Sequence, residues 1–513
     1  METTVRTDLA STPQRSWHLG LGIALLFTVL ALTLYSEHQD WPAAFHHDEP
    51  SKVLQISDQL RNLYHPLFLL EATEWARKIS GVQRDDKTGI VAIGRGVSAV
   101  CMALAVGIAA LAAYWRHSWI AAFTVGTMML LCFRFYEVAH YFKEDTPHLL
   151  GLSLVMLTGF LHARSPSRRT VFAMGLAVGV AMSSKYAGAG FFSIALALIA
   201  LYPAGRLRTS IGILIGAALG ITLLIHLRFL IMLDPLGKLT RSLSQEVTWM
   251  IQGHKGVGME VPNWDYFVRL FYDVGMHGIA LILLWVPFVR RLHKADAVLI
   301  VFSMTYFAVL TMSPKYSERY LLPISLIVLF YIGLQLANLI QSVQALGNRR
   351  MISVSVAAIL MTMVLVPSVP WLQDYRQAFA TDSRQSMITV LHEHLSTDAH
   401  IAADAAVRLK EAEAQATGGY AALRYEEAEF APQLGTLDEL RDRGVTHLII
   451  CYDTYHRFIA KGATASGDQA KTWQLARDFY LALQVTEPLW KSEPRNPKPL
   501  HPGLEVYPMP PKL

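Results

Sequence analysis

Two segments of the chain set carboxylates at the entrance to a helix: Phe45-His46-His47-Asp48-Glu49-Pro50, and Tyr136-Glu137-Val138-Ala139-His140-Tyr141-Phe142-Lys143-Glu144-Asp145-Thr146-Pro147. Proline is tolerated in the first helical turn, so each acid sits where a helix begins. A carboxylate near an apolar boundary loses hydration, which raises its basicity and suits it to take a proton from a hydroxyl. Asp48 is the expected base, with Glu49 and Asp145 orienting it or its partners. Ordinary loop charge explains either cluster alone; the two together point to a site.

Cations accompany these acids. Lys143 lies beside Asp145, Lys185 sits in the turn Ser183-Ser184-Lys185-Tyr186-Ala187-Gly188, and Arg319 precedes Tyr320 at the start of an apolar run. Ionisable groups at the depth of a membrane interface are costly and are functional candidates by default. Lys185 and Arg319 are therefore expected to hold an anion. For Arg95 and Lys315, snorkelling or pairing with the acids explains the charge at least as well. A phosphate gripped by several cations beside one base suggests a lipid phosphate whose tail stays in the bilayer. Phosphate departs readily once its charge is neutralised, so a single base suffices.

The elements that must position these groups are membrane helices. Of 513 residues, 53% are hydrophobic and only 17% charged, and apolar runs of roughly 17 to 24 residues recur at the length that crosses a bilayer. About eleven such helices are expected, beginning near Trp17, Ile90, Ser118, Pro147, Thr170, Ala187, Thr209, Gly275, Ala295, Arg319 and Met351. The first is read as an anchor, since no small-residue cleavage site closely follows Tyr35. Basic residues fall on alternate loops: Arg6 and Arg15, Arg116, Arg164 with Arg168 and Arg169, Arg206 with Arg208, Arg290 with Arg291 and Lys294, and Arg349 with Arg350. That face is cytoplasmic by the positive-inside rule, with the N-terminus on it and the C-terminus outside. The acids of the first paragraph fall on the outer face. A net charge of +5 gives no argument for nucleic acid, and three cysteines without metal or disulfide spacing give none for redox chemistry.

Residues 1–370 thus read as the membrane domain. Its stretch from Ser51 to Lys78 is too polar to span and is expected to lie on the membrane surface. Residues 371–513 read as a soluble extracytoplasmic α/β domain, with strand, helix and strand at Ala399 to Ala403, Leu437 to Arg443 and Val445 to Cys451. The proline-rich tail from Pro488 to Pro511 is expected to wrap it as irregular chain. His447, Tyr452, Asp453, Tyr455 and His456 define no catalytic set. The domain is expected to cap the cavity or to recognise the acceptor. No Asn-x-Ser/Thr sequon occurs, which favours a bacterial envelope and its plasma (inner) membrane.

The pair Asp48-Glu49, the segment Tyr64-His65-Pro66-Leu67, Lys143 to Asp145, Lys185-Tyr186 and Arg319-Tyr320 followed by Leu321-Leu322-Pro323 together resemble the GT-C membrane glycosyltransferases. Protein O-mannosyltransferases and the aminoarabinose transferase of lipid A are the members most resembled, over roughly residues 15 to 370. The resemblance implies a hexosyl or pentosyl transferase that moves a sugar from a polyprenyl-phosphate donor to a glycan, lipid or protein acceptor with inversion. Asp48 would be the base, and Lys143, Lys185 and Arg319 would hold the donor phosphate. Many relatives read His-Pro-Pro where this chain has His65-Pro66-Leu67, so His65 takes no catalytic role and remains a candidate substrate contact with Tyr186, His254 and Tyr320.

No cofactor is required by this chemistry. A divalent metal is the alternative use of His46, His47 and Glu144, which lack fixed ligand spacing. His254 and Trp264-Asp265-Tyr266-Phe267 lie in an outer loop from Asp234 to Arg269, where related enzymes carry a mobile cover over the substrates. Close helix packing accounts for Gly212, Gly216 and Gly220. A transporter or flippase of lipid-linked sugars is the competing function; it calls for paired halves or broken midplane helices, and no repeat relates residues 17–200 to 209–370.

Overall fold

The computed structural model describes residues 16–39, 46, 48–252, 265–273, 293–313, 317–344, 355, 362, 366, 368–414, 423–460, 469–495, 497 and 500–511. After α1 (Trp17–Tyr35) come two short amphipathic helices, α2 (Glu49–Ser57) and α3 (Phe68–Ser80), and then α4 (Lys87–Arg116) of 30 residues. Next, α5 (Trp119–Leu130) and α6 (Phe133–Ala139) meet at a 63° bend. The chain continues through α7 (Asp145–Arg164), α8 (Arg168–Ser184), a 3-10 turn at Tyr186–Gly190, α9 (Phe191–Leu201) and α10 (Leu207–Ile225). Helices α11 (Pro235–Gln252), α12 (Asp265–Asp273), α13 (Lys294–Met312), a 3-10 turn at Glu318–Leu321 and α14 (Leu322–Gln344) follow.

Among the described residues, α1, α4, α7, α10, α13 and the run Glu318–Ser342 are long and apolar enough to cross a membrane, and the bent α5 and α6 pair makes a seventh candidate. The expected starts near Trp17, Ile90, Ser118, Pro147, Thr209, Ala295 and Arg319 correspond to these candidates; Thr170 and Ala187 fall on α8 and on the run Tyr186–Leu201, which are shorter than a candidate span, and Gly275 and Met351 lie outside the described residues. The expected surface helices are present as α2 and α3, and the described parts of the loop after Asp234 are helical as well.

Helix α4 is the spine of the bundle, packed against α1, α5 and α7 through buried small residues such as Ala103, Ala109, Ala110 and Ala113. Without a large side chain between them, helix backbones approach and gain dispersion contacts that lipid cannot supply. The same device joins α8 to α10, but through other glycines than expected. A Cβ at Gly175 or Gly179 would lie 2.6 Å from the carbonyl of Leu214 or Ala218, whereas Gly212, Gly216 and Gly220 have nothing within 4 Å. Helix α10 turns Leu214, Ala217 and Ala218 inward, and residues two apart on a helix point about 200° from each other. Its glycine stripe therefore faces outward.

Polar contacts sort the bundle into two ends. Arg116 closing α4 pairs with Asp296 opening α13, His162 of α7 bonds the Tyr202 carbonyl, and the Tyr202 hydroxyl lies 3.1 Å from His293 Nδ1. The described members of the basic loops thus share one end. The opposite end carries α2, α3, the start of α7, Lys185 and Arg319.

The soluble domain begins after α15 (Ser368–Phe379), which docks on α6 through Tyr375 and Phe133 at 4.9 Å between rings. It comprises α16 (Ser383–His394), β1 (His400–Asp404), α17 (Leu409–Ala414), β2 (Arg424–Ala428), α18 (Leu437–Asp442), β3 (His447–Cys451), α19 (Tyr452–Ile459), α20 (Gln469–Leu483), β4 (Trp490–Lys491) and β5 (Leu504–Pro508). The sheet order is β2-β1-β3-β5-β4, with β2, β1 and β3 parallel and β5 antiparallel to both its neighbours. Alternate residues face two separate cores, Ala402, Leu448 and Ile450 on one side and Ile401, Ala403 and Ile449 on the other. This is the signature of a sheet covered by helices on both faces.

The expected strand, helix and strand are present as β1, α18 and β3. The tail is not irregular as expected: it supplies β4 and β5. Pro494, Pro497 and Pro502 occupy the connection between them, and Pro508 ends β5, so no proline interrupts the ladder formed by Leu504 to Tyr507. Leu500 from this tail is buried in the membrane-domain core, and Arg376 of α15 pairs with Glu37 at 2.7 Å.

Candidate active site

Asp48 stands at the N-cap of α2, with Glu49 and Pro50 in its first turn. Its carboxylate makes no cap bond and instead reaches Arg319 at 2.9 Å and Lys143 at 3.1 Å through Oδ2. Lys143 Nζ is also 2.8 Å from His46 Nε2, and His46 Nδ1 accepts the Asp48 main-chain N–H at 3.2 Å. Lys52, one turn along α2, donates to the Asp48 carbonyl at 3.4 Å and pairs with Glu144 at 3.1 Å. Asp145, the first residue of α7, pairs with Lys185 at 2.7 Å. Residues far apart in the chain thus meet at one end of the bundle.

Glu49 is held elsewhere. Fully buried, it accepts from Arg95 Nε and Nη2 at 3.0 and 2.8 Å, from the Phe142 main chain at 2.9 Å and from the His46 main chain at 2.7 Å. These bonds pin α2 to α4 and to the turn before α7. Close approach of that turn needs Gly94, where a Cβ would strike the Phe142 ring at 2.4 Å. Glu49 orients the segment that carries Asp48, and it does not line the cavity. Arg95 is consumed in this pairing, as the sequence allowed.

The remaining expected contacts divide. Tyr320 lies under the cations, 5.0 Å from Lys185 Nζ and 5.8 Å from the Arg319 guanidinium to the ring centre. Tyr186 donates its hydroxyl to the Leu63 carbonyl at 2.7 Å, a bracing bond to the segment before His65. His65 is partly buried beside the charges of Glu144, Lys52, Lys185 and Asp48. His254, His47, Trp264 and Lys315 lie outside the described residues. Tyr266 is buried against Leu310, Leu321 and Ile324.

A cavity of about 460 Å³ opens over Asp48, Lys143, Asp145 and Arg319 and is roofed by the soluble domain through Arg408, Asp453 and Arg457. Its flank holds an ion network absent from the sequence reading: Arg134 of α6 binds Glu137 and Glu318, and Glu318 also meets Arg269 of α12 at 3.2 Å. Glu318 precedes Arg319, so the network fixes the turn that presents the guanidinium. Lys52 was legible in principle, since an i, i+4 spacing from Asp48 puts both on one face of a helix. No local pattern signals Arg134, Arg408 or Arg457.

The electrostatics reverse one expectation. Burial alone would push the Asp48 carboxyl up, but Lys143 and then Arg319 outweigh it and hold the group far below the ordinary carboxylate range. Burial, followed by Arg319, pushes Lys143 down to about 8. Asp48 with these partners is a stable anion and a weak base; an anion that competes for the cations would free it and raise its basicity. Arg319 Nε is buried without an acceptor among the described residues, so this guanidinium has a donor left for such an anion.

The Asp48 carboxylate and His46 face cationic nitrogens, and among the described residues, which do not include His47, no three His, Cys, Asp or Glu side chains gather about one point. The chemistry open to the site is proton transfer to a carboxylate beside a bound anion.

No family model matches the chain, and no curated protein matches it in sequence. Solved structures do. ArnT from Cupriavidus metallidurans bound to undecaprenyl phosphate is similar with a TM-score of 0.51 at 14% identity, over 94% of this chain and 98% of that one. The oligosaccharyltransferase of Archaeoglobus fulgidus in its apo form gives 0.53 at 12% identity, over 87% of this chain and 71% of that one. AglB from the same organism, in complex with an inhibitory peptide and a dolichol-phosphate, gives 0.51 at 10% identity, over 93% and 74%. At such identities the likeness is one of fold, and it spans both the helical bundle and the region beyond it. This chain has the GT-C fold of polytopic membrane glycosyltransferases.

Proposed function

We propose that this protein transfers a sugar from a polyprenyl-phosphate donor to a hydroxyl of an extracytoplasmic acceptor, with inversion at the anomeric carbon. The observation that carries the reading is the single cluster of Asp48, Lys143 and Arg319, with Asp145 and Lys185 beside it, on the wall of a cavity at one end of the bundle. Three cations there are paired with only two carboxylates, an arrangement that a phosphate can enter by exchange. The binding of undecaprenyl phosphate and of a dolichol-phosphate to the neighbours ArnT and AglB agrees with this choice of anion.

The donor phosphate takes Lys143, Lys185 and Arg319 as partners and releases Asp48. The acceptor hydroxyl gives its proton to Asp48 as its oxygen bonds the anomeric carbon. The bond from that carbon to the phosphate oxygen breaks with its electron pair on the phosphate. The cations neutralise the departing charge, so the leaving group needs no proton. The lipid tail stays in the bilayer of the plasma (inner) membrane, with the basic loops cytoplasmic and residues 371–513 outside as the roof.

The test is transfer by purified protein from a set of polyprenyl-phosphate sugars to candidate glycan, lipid and protein acceptors, wild type against Asp48→Asn. Transfer that disappears in a folded Asp48→Asn protein supports the reading. Movement of the intact lipid across vesicles, unchanged by the substitution, replaces it with a flippase.

A further inference from the structure

The end of the bundle that carries Asp48 holds cations that the donor chemistry leaves unused. The basic loops explained by the positive-inside rule lie at the other end. Here Arg61, Arg77, Lys78 and Arg84 stand on and around α3, and Arg228 stands in a 3-10 turn, Leu227–Ile231, that follows α10. None of the five lines the cavity over Asp48. They gather about two carboxylates of α3, Glu71 and Glu74. Glu71, Glu74 and Lys78 have i, i+3 and i+7 spacing, so the cluster runs along one side of that helix.

Each carboxylate serves one buried arginine and at least one cation nearer the surface. Glu71 Oε1 meets Arg61 Nε at 3.1 Å and Arg228 Nε at 3.2 Å. Glu74 accepts from Arg77 Nε at 2.9 Å and Nη2 at 3.2 Å, and it also meets Arg84 at 2.9 Å and Lys78 at 3.9 Å. Arg61 and Arg77 leave 1% and 9% of their side chains open, against 23%, 31% and 59% for Arg228, Arg84 and Lys78. An unpaired buried charge is strongly destabilising, so the two carboxylates are committed to the inner arginines. Those also brace the chain: Arg61 donates to the carbonyls of Gln55 and Leu60, and Arg77 to that of Val82. The three outer cations remain in excess. Nearby Asp86 caps α4 through the Gly89 N–H, and among the described residues neither it nor Asp85 pairs with any of the five. The Arg228 side chain meets no acceptor but Glu71 among the described residues.

Apolar side chains stand beside this charge. Trp75 and Ile79, one turn apart on α3, are mostly exposed, as are Leu60 before Arg61 and Leu227 and Ile231 around Arg228. Tryptophan at headgroup level, aliphatic side chains toward the acyl region and cations toward the phosphates make a segment that lies in the membrane interface. We propose that α3 and the turn Leu227–Ile231 form a headgroup site for an anionic phospholipid of the leaflet that meets this end of the bundle. The phosphate binds the Arg228 fork, Arg84 and Lys78 add charge along α3, and the acyl chains run past Trp75 and Ile79. An anion here also relieves the repulsion between Arg61 and Arg228, which face one carboxylate oxygen. The lipid then fastens the loop Arg61 to Leu67, which Ser242 and His226 hold through the Asn62 carbonyl and the Leu67 N–H. The site does not rest on the transferase reading.

The experiment uses the full chain in a mild detergent, titrated with palmitoyl-oleoyl phosphatidylglycerol, with phosphatidylcholine of the same chains or with undecaprenyl phosphate, the retained lipid being counted by native mass spectrometry. Phosphatidylglycerol should be held about tenfold more tightly than phosphatidylcholine, and Arg84→Gln/Arg228→Gln should weaken it by about tenfold or more, since each cation near a membrane surface contributes about fivefold. The inner arginines keep their carboxylates in that variant. Lys78→Gln, at an exposed position that no fold depends on, repeats the test with a loss of about two- to fivefold. Lys410→Gln/Arg424→Gln, which removes as much charge from the surface of the soluble domain, should leave the affinity within about twofold of wild type. Phosphatidylglycerol that is held no better than phosphatidylcholine, is held equally by the α3 variants, or is lost as much in the soluble-domain control overturns the proposal. Displacement of phosphatidylglycerol by equimolar inorganic phosphate overturns the choice of a lipid. Arginine-dependent retention confined to undecaprenyl phosphate overturns it too, and makes the cluster a second contact for the donor.

Discussion

Beneath the cavity, Glu49 has no exposed surface and accepts four hydrogen bonds from Arg95, Phe142 and His46. At the cavity wall one residue earlier, Asp48 leaves 35% of its side chain open and meets two cations through one oxygen. Adjacent carboxylates of similar chemistry therefore have opposite fates. A carboxylate whose lone pairs are all taken by fixed donors cannot exchange partners and serves to hold α2 in place. A carboxylate held only by side-chain charge can surrender those charges to an incoming anion and then accept a proton.

The strongest way to break this contrast is Asp48→Asn. Loss of a general base should lower the transfer rate by about 10²–10⁴ with the unfolding temperature little changed; a variant that keeps near wild-type turnover ends the contrast. Glu49→Gln should do the reverse. Breaking a fully buried pair costs about 3–5 kcal/mol, so thermal unfolding in detergent should shift steeply downward while the surviving folded fraction turns over normally. Should Glu49→Gln abolish turnover at full stability, Glu49 belongs with the chemistry.

Smaller effects sharpen the open side. Lys185→Met should raise the donor KM by about tenfold with less change in kcat, because it removes a contact made to donor and transition state alike. Lys143 loses its charge as pH rises through about 8. Donor affinity should therefore decline a few-fold on the alkaline side, by roughly the fraction of lysine deprotonated. In Lys143→Arg the decline should vanish, since arginine stays charged; an unchanged alkaline limb assigns it to another group.

The membrane character, the one-sided basic loops and the strand-helix-strand core were legible because each rests on local pattern: the length of an apolar run, the charge of a short loop, the alternation of a strand. The site was legible in part for the same reason. Asp48, Lys143, Asp145, Lys185 and Arg319 stand out as charges at helix ends, where charge is costly and has to be explained. The division between Asp48 and Glu49 was not legible, since it depends on which side chain α4 and Phe142 meet. Arg134, Arg408 and Arg457 were invisible, because arginine in a polar loop has an ordinary cause and only the folded chain brings them to the cavity. The glycine stripe of α10 misled for a related reason: spacing marks a face, and the neighbour that covers a face is set by the whole bundle.

Composition and periodicity by themselves determined that this chain is a helical membrane protein with an α/β appendage, and that acids and cations gather on one side of it. Those properties follow from transfer energies summed along short stretches, which need no knowledge of the fold. Tertiary structure alone decided that Asp48 meets Lys143 and Arg319, that Glu49 is locked to Arg95, and that the carboxyl edge of a distant sheet closes over them. Each of these is a contact between segments about fifty to several hundred residues apart, and its energy exists only once packing has brought the groups within a few ångströms of each other.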